Sequence, residues 1–224
     1  MDCFIPCRKN GDFLKNLNFL EIDQIKLVEH TINCSINSGL FRNIYILTND
    51  KNSFMLLKKK YSSLKLIYIK SVRLPFYKII ENLEKKKYFQ NKIDICVLLP
   101  NYPFKSISTI KKIYEKYKFL NLNMIASAKK DNFFYYVKKK NKAVSLNFSP
   151  HIKSKKKIPP IYKLSGGIFI YKSERRKLNL QSIELKNLHF INNHESFGIY
   201  SLYDFITASS LFNIDNSILL KMSN

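Results

Sequence analysis

Short apolar runs alternate with amphipathic stretches from the first residue to about Ser127. The runs have the length and the β-branched content of buried strands, and they cover residues 3–6, 43–48, 64–69, 93–99 and 123–127. Strands that alternate with helices in this order are typical of βα units, which assemble into a mostly parallel sheet. The pattern therefore predicts one α/β domain that spans residues 1–224.

The segment between the first two strands predicts an amphipathic helix. Val28, Ile32 and Ile36 recur at four-residue spacing and so share one helix face. Asp23 is a candidate N-cap, because its carboxylate can accept a hydrogen bond from the first backbone N–H groups of the helix. Gly39 is the expected helix stop.

A second amphipathic helix is predicted after the fourth strand, with Ser106 as its N-cap. Its apolar positions recur at i, i+3, i+4 and i+7 while lysines fill the other side, which places the aromatic residues in the core rather than on a base-stacking surface. These positions are Ile110, Ile113, Tyr114 and Tyr117. A last helix is predicted over residues 201–212.

The alternation is interrupted at residues 130–160. Two apolar stretches, 133–137 and 143–146, flank a lysine-rich turn and predict a β-hairpin that leaves the βα rhythm. The sequence Pro159-Pro160 ends this excursion, and residues 165–171 return to a buried strand. Two glycines in that strand, Gly166 and Gly167, predict a close approach of its backbone to another group.

The net charge is large, since 39 lysines and arginines against 16 acidic residues give +23. Such a charge attracts nucleic acids, acidic membrane surfaces or anionic substrates. Only five of the 39 are arginines, whereas nucleic-acid readers favour the bidentate guanidinium. We therefore expect no specific nucleic-acid partner. Base composition of an AT-rich genome is the alternative explanation for the many lysines and asparagines.

The rest of the composition excludes several classes of protein. Hydrophobic residues make up 46% and charged residues 25%, which excludes wholesale disorder. No apolar run reaches the roughly 18 residues of a membrane span, so we expect no membrane partner and a cytoplasmic location. The four cysteines have no paired spacing near the histidines, which favours reduced core thiols over a zinc site or disulfides.

Ligands of open α/β sheets bind beyond the carboxyl ends of the strands, so the loop after the first strand is the first candidate for chemistry. Residues 6–16 contain a glycine and three cations, Arg8, Lys9 and Lys15, which suit a triphosphate. The loop is not a Walker A sequence.

Several segments share their order with one known family. That family opens with Ile-Pro-Ala-Arg, a Gly-Gly-Ser-Lys loop and Lys-Asn, and this chain keeps Ile5, Pro6, Arg8, Lys15 and Asn16 in a shorter loop. Residues 25–32 and 38–50 look like the family's first helix and second strand. Residues 98–105 replace Leu-Gln-Pro-Thr-Ser-Pro-Leu-Arg, and residues 165–170 replace Asn-Gly-Ala-Ile-Tyr-Ile. The chain thus resembles the cytidylyltransferases that activate sialic, legionaminic and pseudaminic acids as CMP-sugars.

The resemblance implies a Rossmann-like, three-layer fold of the nucleotide-diphospho-sugar transferase type, with a β-hairpin excursion that forms a homodimer. It implies transfer of CMP from CTP to an acidic nine-carbon sugar, with release of pyrophosphate. Arg8 and Lys15 would be the catalytic cations and would bind the nucleotide together with three further residues. Those residues are Asn16, Arg73 and Pro100. Tyr162 is a weaker candidate for contact with the sugar.

The resemblance also implies a Mg²⁺ ion, but the matched ligand positions hold Gly198 and Tyr200 where the family has aspartates. Asp204 remains, and the Gly-Ser-Lys element is missing. Asp50 or Asp204 would have to substitute as ligands. Two hypotheses therefore stand: a diverged CMP-sugar synthetase, which we favour, or a catalytically degenerate relative that binds a nucleotide, a sugar or a protein partner.

Overall fold

The computed structural model describes residues 1–9, 14–69, 93–148, 158–173 and 182–214. Its longer helices are α1 (Leu27–Ser38), α2 (Lys51–Lys60), α3 (Ile107–Phe119) and α4 (Leu202–Phe212). Its strands are β1 (Asp2–Pro6), β2 (Glu21–Ile22), β3 (Ile25–Lys26), β4 (Asn43–Thr48), β5 (Leu64–Tyr68), β6 (Asp94–Leu98), β7 (Met124–Asp131), β8 (Tyr136–Lys139), β9 (Lys142–Ser145), β10 (Ile161–Lys172) and β11 (Leu188–Phe190).

Seven of the described strands form one sheet in the order β11-β7-β10-β6-β1-β4-β5. The pairs β1·β4, β1·β6, β4·β5 and β7·β11 are parallel, whereas β10 is antiparallel to both β6 and β7. The prediction of a mostly parallel α/β sheet is thus confirmed. β1 lies between β4 and β6, so the chain leaves it first toward one side of the sheet and later toward the other. This is the topological switch point at which α/β sheets bind ligands.

Apolar side chains are buried on both faces of the sheet. One face packs against α1, α2 and α3 through a continuous core, whose helical members are Val28, Ile32, Phe54, Leu57, Ile110, Ile113 and Tyr117. A separate buried cluster lines the opposite face and consists of Phe4, Leu47, Ile67, Ile69, Ile95, Val97 and Tyr171. Burial on both faces explains why these strands are continuous apolar runs rather than alternating ones.

Helix α1 starts later than predicted. Asp23 is not its N-cap, because Asp23 and Gln24 form the positive-φ turn that joins β2 to β3. The N-cap is Lys26, whose N–H donates to the Glu29 carboxylate. Gly39 ends the helix in the left-handed conformation, as predicted. Ile36 is 39% exposed and does not join the core face.

Ser106 as the N-cap of α3, the last helix and the hairpin are confirmed. Ser106 and Ser201 accept hydrogen bonds from the N–H groups three residues into α3 and α4. Strands β8 and β9 form a two-stranded sheet of their own. Residues 133–135 precede β8 instead of belonging to it, and residues 149–157 of the excursion lie outside the described part.

The four cysteines are free thiols, and three of them are fully buried. Among the described residues, no helix combines the length and the apolar character needed to cross a membrane.

A buried hydrogen bond fixes α3 to the amino end of β6. The Tyr117 hydroxyl donates to Asp94 Oδ1 at 2.7 Å, and the Lys118 ammonium binds the other oxygen of the same carboxylate. Burial alone raises the pKa of Asp94, but these two hydrogen bonds outweigh that effect and leave the pKa below its ordinary value of 3.8.

We expect Tyr117→Phe to lower the free energy of unfolding at pH 7 by about 1.5–3 kcal/mol, the usual range for a hydrogen bond to a charged group. The deficit shrinks below pH 4, because stability from a carboxyl group with a lowered pKa is lost as the pH falls through that pKa. Urea unfolding at pH 7 and pH 3 measures both effects. Tyr114→Phe on the same helix is the control, and an equal loss in that variant contradicts the assignment.

Candidate active site

The loop after β1 is held by the carboxyl end of β4. The Cys7 N–H donates to the Leu47 carbonyl at 2.8 Å, and the Lys9 N–H donates to Asn49 Oδ1 at 3.0 Å. Lys9 Nζ lies 3.5 Å from Asp50 Oδ2. The β4 end therefore fixes where the cationic loop begins.

The two described ends of this loop meet. The Asn16 N–H donates to the Lys9 carbonyl at 3.0 Å, and Asn18 Nδ2 donates to the Arg8 carbonyl at 3.0 Å. Arg8 is half-buried, whereas Lys9 and Lys15 are exposed. Three cations thus share a closed loop at the switch point, which creates a positive potential suited to phosphate oxygens.

Asn16 carries an unsatisfied polar atom at this point. Its backbone is left-handed, with φ 57°, and its side-chain Oδ1 is buried without a hydrogen-bond partner among the described residues. A buried acceptor without a partner costs about 1–3 kcal/mol. A ligand hydroxyl or amino group that donates to Oδ1 removes this cost.

Asp50 is already engaged at the edge of the site. It is the N-cap residue of α2, and its carboxylate accepts from Ser53 and faces Lys9. The Ser53 hydrogen bond, followed by the charge of Lys9, lowers the pKa of Asp50. Its carboxylate therefore anchors the loop.

The loop after β6, residues 99–102, forms the opposite side of the switch point. The Leu99 N–H donates to the Gly167 carbonyl, and the Asn101 carbonyl accepts from Ile199, both at 2.8 Å. Gly167 has φ +64°, and a Cβ there would lie 2.8 Å from the Leu99 Cβ. Pro100 is buried within this loop. The glycine expected to allow close approach does so, and it lets β10 contact the loop directly.

Tyr200, at one of the two positions where the family resemblance implies metal ligands, pairs with a second phenol, Tyr102. The Tyr102 and Tyr200 hydroxyls are hydrogen-bonded, and the two rings meet edge to face with centroids 6.0 Å apart. Burial raises the pKa of Tyr102, so its phenol stays protonated. A Cβ on Gly198 would lie 2.7 Å from carbons of both rings. No carboxylate fits at position 198 while these rings occupy their places.

The residues present do not fit a Mg²⁺ site at 198–200. Magnesium requires oxygen ligands, usually carboxylates, in octahedral geometry. Asp204 accepts from the Tyr200 N–H at 3.0 Å and the Ser201 hydroxyl at 2.8 Å, which commits it to the start of α4. In the described part of the chain, no group of three or more histidine, cysteine or acidic residues is arranged to hold a metal.

The structure brings together part of the predicted site. Arg8, Lys15 and Asn16 share the β1 loop, and Pro100 belongs to the loop that follows the neighbouring strand β6. Arg73 lies outside the described residues. Tyr162 is at the start of β10, where its ring packs at a tilt against Phe190 with centroids 5.3 Å apart.

The sequence analysis did not identify two residues that fix the loops of the site. Asn49 fixes the β1 loop through its side chain, and the sequence shows it only as a polar residue after a strand. Lys105 is 5% exposed and donates from Nζ to the Leu99 carbonyl at 2.7 Å and to the Tyr102 carbonyl. The available signal for Lys105 was its match to the final arginine of the family segment Leu-Gln-Pro-Thr-Ser-Pro-Leu-Arg.

We expect Gly198→Ala to lower the free energy of unfolding by about 1–3 kcal/mol, because the added methyl group overpacks the contact with the two phenols. Tyr102→Leu removes one of the two rings that the methyl group meets, so the penalty is smaller in that background. Urea unfolding of the four proteins gives the coupling energy. Equal penalties in both backgrounds contradict the packing described.

Comparisons with known proteins agree with this architecture, although no family model matches the chain. A curated protein of Campylobacter coli, the post-translational flagellin modification protein B, is 24% identical over 229 aligned positions, covering 96% of this chain and 95% of that protein.

Solved structures with the same fold include two cytidylyl-transferring enzymes. CMP:2-keto-3-deoxy-manno-octonic acid synthetase complexed with CTP has a TM-score of 0.68 and 11% identity, covering 95% of this chain and 98% of that chain. The 4-diphosphocytidyl-2C-methyl-D-erythritol synthase of Anaerococcus prevotii has a TM-score of 0.67 and 12% identity, covering 95% of this chain and 96% of that chain. The chain therefore has the same α/β fold as these structures.

Proposed function

We propose that this protein is a cytidylyltransferase that transfers CMP from CTP to an acidic nine-carbon sugar and releases pyrophosphate. The observation that carries the proposal is the closed cationic loop after β1, which lies at the switch point of the sheet beside the β4 and β6 ends. A structure with the same fold contains CTP, and its name includes an acidic sugar. The sequence resemblance to the sialic-acid-type family adds the nine-carbon substrate class.

In the proposed reaction the anomeric hydroxyl oxygen of the sugar attacks the α-phosphorus of CTP. A new P–O bond to the sugar forms, the bond to the bridging oxygen breaks, and the hydroxyl proton passes to the departing pyrophosphate or to water. Arg8 and Lys15 neutralise the charge on the phosphate oxygens, which is the main electrostatic demand of phosphoryl transfer. Asn16 Oδ1 accepts from a ribose hydroxyl, and Pro100 forms a rigid wall of the nucleotide pocket.

A second candidate function is binding of the nucleotide without catalysis. Gly198 and the phenol pair of Tyr102 and Tyr200 favour it, because they provide no carboxylate at the positions matched to metal ligands. Arg8, Lys15 and Asn16 serve CTP binding equally in both candidates. Turnover, rather than binding, therefore distinguishes them.

We expect purified protein to release pyrophosphate from CTP in the presence of Mg²⁺ or Mn²⁺ and one member of a panel of sialic, legionaminic and pseudaminic acids. Arg8→Ala should lower kcat/KM by about 10²–10³, the usual effect of removing a preorganised charge-stabilising group. Coupled pyrophosphate detection measures the rate.

Lys111→Ala is the matched control, since Lys111 is an exposed cation on α3 outside the site. An equal loss in the control shows that net charge, not the position of Arg8, sets the rate. If no acid of the panel supports pyrophosphate release while CTP binding is retained, the result favours the non-catalytic binder. Absence of CTP binding refutes both candidates.

We also propose that the protein is a homodimer that pairs through the excursion at residues 130–160. Six large apolar or aromatic side chains are exposed on its described part, which is unusual for so short a segment. They are Phe133, Phe134, Tyr136, Val137, Val144 and Leu146. Val137 and Val144 pair directly across β8 and β9 and so present one apolar face.

We expect a dimer at micromolar concentration, and we expect Val137→Lys to weaken it by at least about tenfold, because a charged group at an apolar interface loses its hydration. Analytical ultracentrifugation measures the dissociation constant. Leu56→Lys is the control, since Leu56 is 66% exposed on α2, away from the hairpin. A monomeric parent protein, or equal weakening in the control, contradicts the proposed dimer.

A further inference from the structure

Lys105 is a buried cation beneath the switch point. Lys105 is 5% exposed, and its Nζ donates to two carbonyls of the β6 loop, those of Leu99 and Tyr102. Its own carbonyl accepts from Cys34 Sγ of α1 at 3.1 Å. Lysine is rarely buried without an acidic partner. Here the two loop carbonyls are the groups that bind the buried Nζ.

The titratable groups around Lys105 are weakly acidic thiols and one imidazole. Cys3 faces it from β1, Cys34 and His30 from α1, and Cys96 from β6. Burial raises the pKa of Cys3, Cys34 and Cys96, so these thiols stay neutral at pH 7. Among the described residues, no carboxylate pairs with its ammonium group. Burial lowers the pKa of Lys105 to about 7.

The β6 loop that Lys105 holds connects the other parts of the site. Leu99 is bonded to Gly167 of β10, Asn101 to Ile199, and the Tyr102 ring packs on Tyr200. β6 itself lies directly beside β1, so the β6 loop and the cationic β1 loop leave the same edge of the sheet. A change in how Lys105 binds the loop therefore acts on the β6 side of the candidate nucleotide site.

We propose that Lys105 is a positioning residue of the nucleotide site: its Nζ holds the β6 loop in the shape that receives the triphosphate, and nucleotide binding draws a proton onto it. The inference rests on the proposed binding of CTP. An anion bound over the switch point stabilises a buried cation beneath it, because the interior screens the attraction less than water does. The ammonium form in turn makes stronger, charge-assisted hydrogen bonds to the two carbonyls than the neutral amine.

Binding and protonation are then linked in both directions. A ligand that favours protonated Lys105 takes up protons when it binds, and protonated Lys105 binds that ligand more tightly. A residue with a purely structural role stabilises the fold but moves no proton upon ligand binding. Proton uptake is therefore the distinguishing measurement.

The experiment is calorimetric titration of the full chain with CTP at pH 7, in buffers with different ionisation enthalpies. At pH 7 Lys105 is near its pKa and is about half protonated before CTP binds. We therefore expect the parent protein to bind at most about 0.5 proton more per CTP than the Lys105→Met variant. We also expect Lys105→Met to bind CTP at least about tenfold more weakly. Proton exchange by the CTP phosphates themselves is common to all proteins and cancels in the comparison.

Lys111→Met on α3 is the matched control and should keep the parent's affinity and proton uptake. If Lys105→Met does not fold, Lys105→Gln replaces it, and the parent protein must still take up more protons per CTP than that variant at pH 7. Equal affinity and equal uptake in the parent and the Lys105 variants overturn the proposal while leaving the proposed function standing. A parent protein that does not bind CTP overturns both.

Discussion

The parallel pairing of β1 with β4 on one side and β6 on the other is the constraint on which the site depends. Because these three strands run in the same direction, their following loops emerge at one edge of the sheet. The β1 loop is then fixed by Asn49 and Asp50 at the end of β4. The β6 loop is fixed by the buried Lys105 and by Gly167 of the antiparallel strand β10. Backbone and side-chain bonds to neighbouring segments thus fix the described parts of both loops.

The sequence predicts six of the seven strands of this sheet, because strands buried on both faces are continuous apolar runs. It misses β11 and gives β7 and β10 too short. It does not predict that β10 runs antiparallel, since strand direction depends on connections rather than on hydrophobicity. The predicted start of α1 was wrong for a related reason. The Asp23 side chain could cap a helix, but this residue lies in the left-handed turn between β2 and β3. The helix therefore begins only at Leu27.

The candidate site was predictable where its residues lie on one loop. Arg8, Lys15 and Asn16 follow a buried strand within a few residues, so the pattern of strand and loop locates them together. Lys105 was not predictable from pattern, because its burial depends on two carbonyls that the β6 loop presents to it. Tyr102 and Tyr200 are 98 residues apart, and only the folded chain shows that their hydroxyls meet.

Gly198, Tyr102 and Tyr200 pack together at a place where the family that the chain resembles has aspartates at positions 198 and 200. An aspartate at position 198 would collide with both rings. Instead, the glycine allows both rings to approach within 2.7 Å of where a Cβ would be, and the ring hydroxyls satisfy each other. The three residues are mutually required, since a larger side chain at 198 displaces a ring. These contacts order this edge of the sheet without a carboxylate at position 198 or 200.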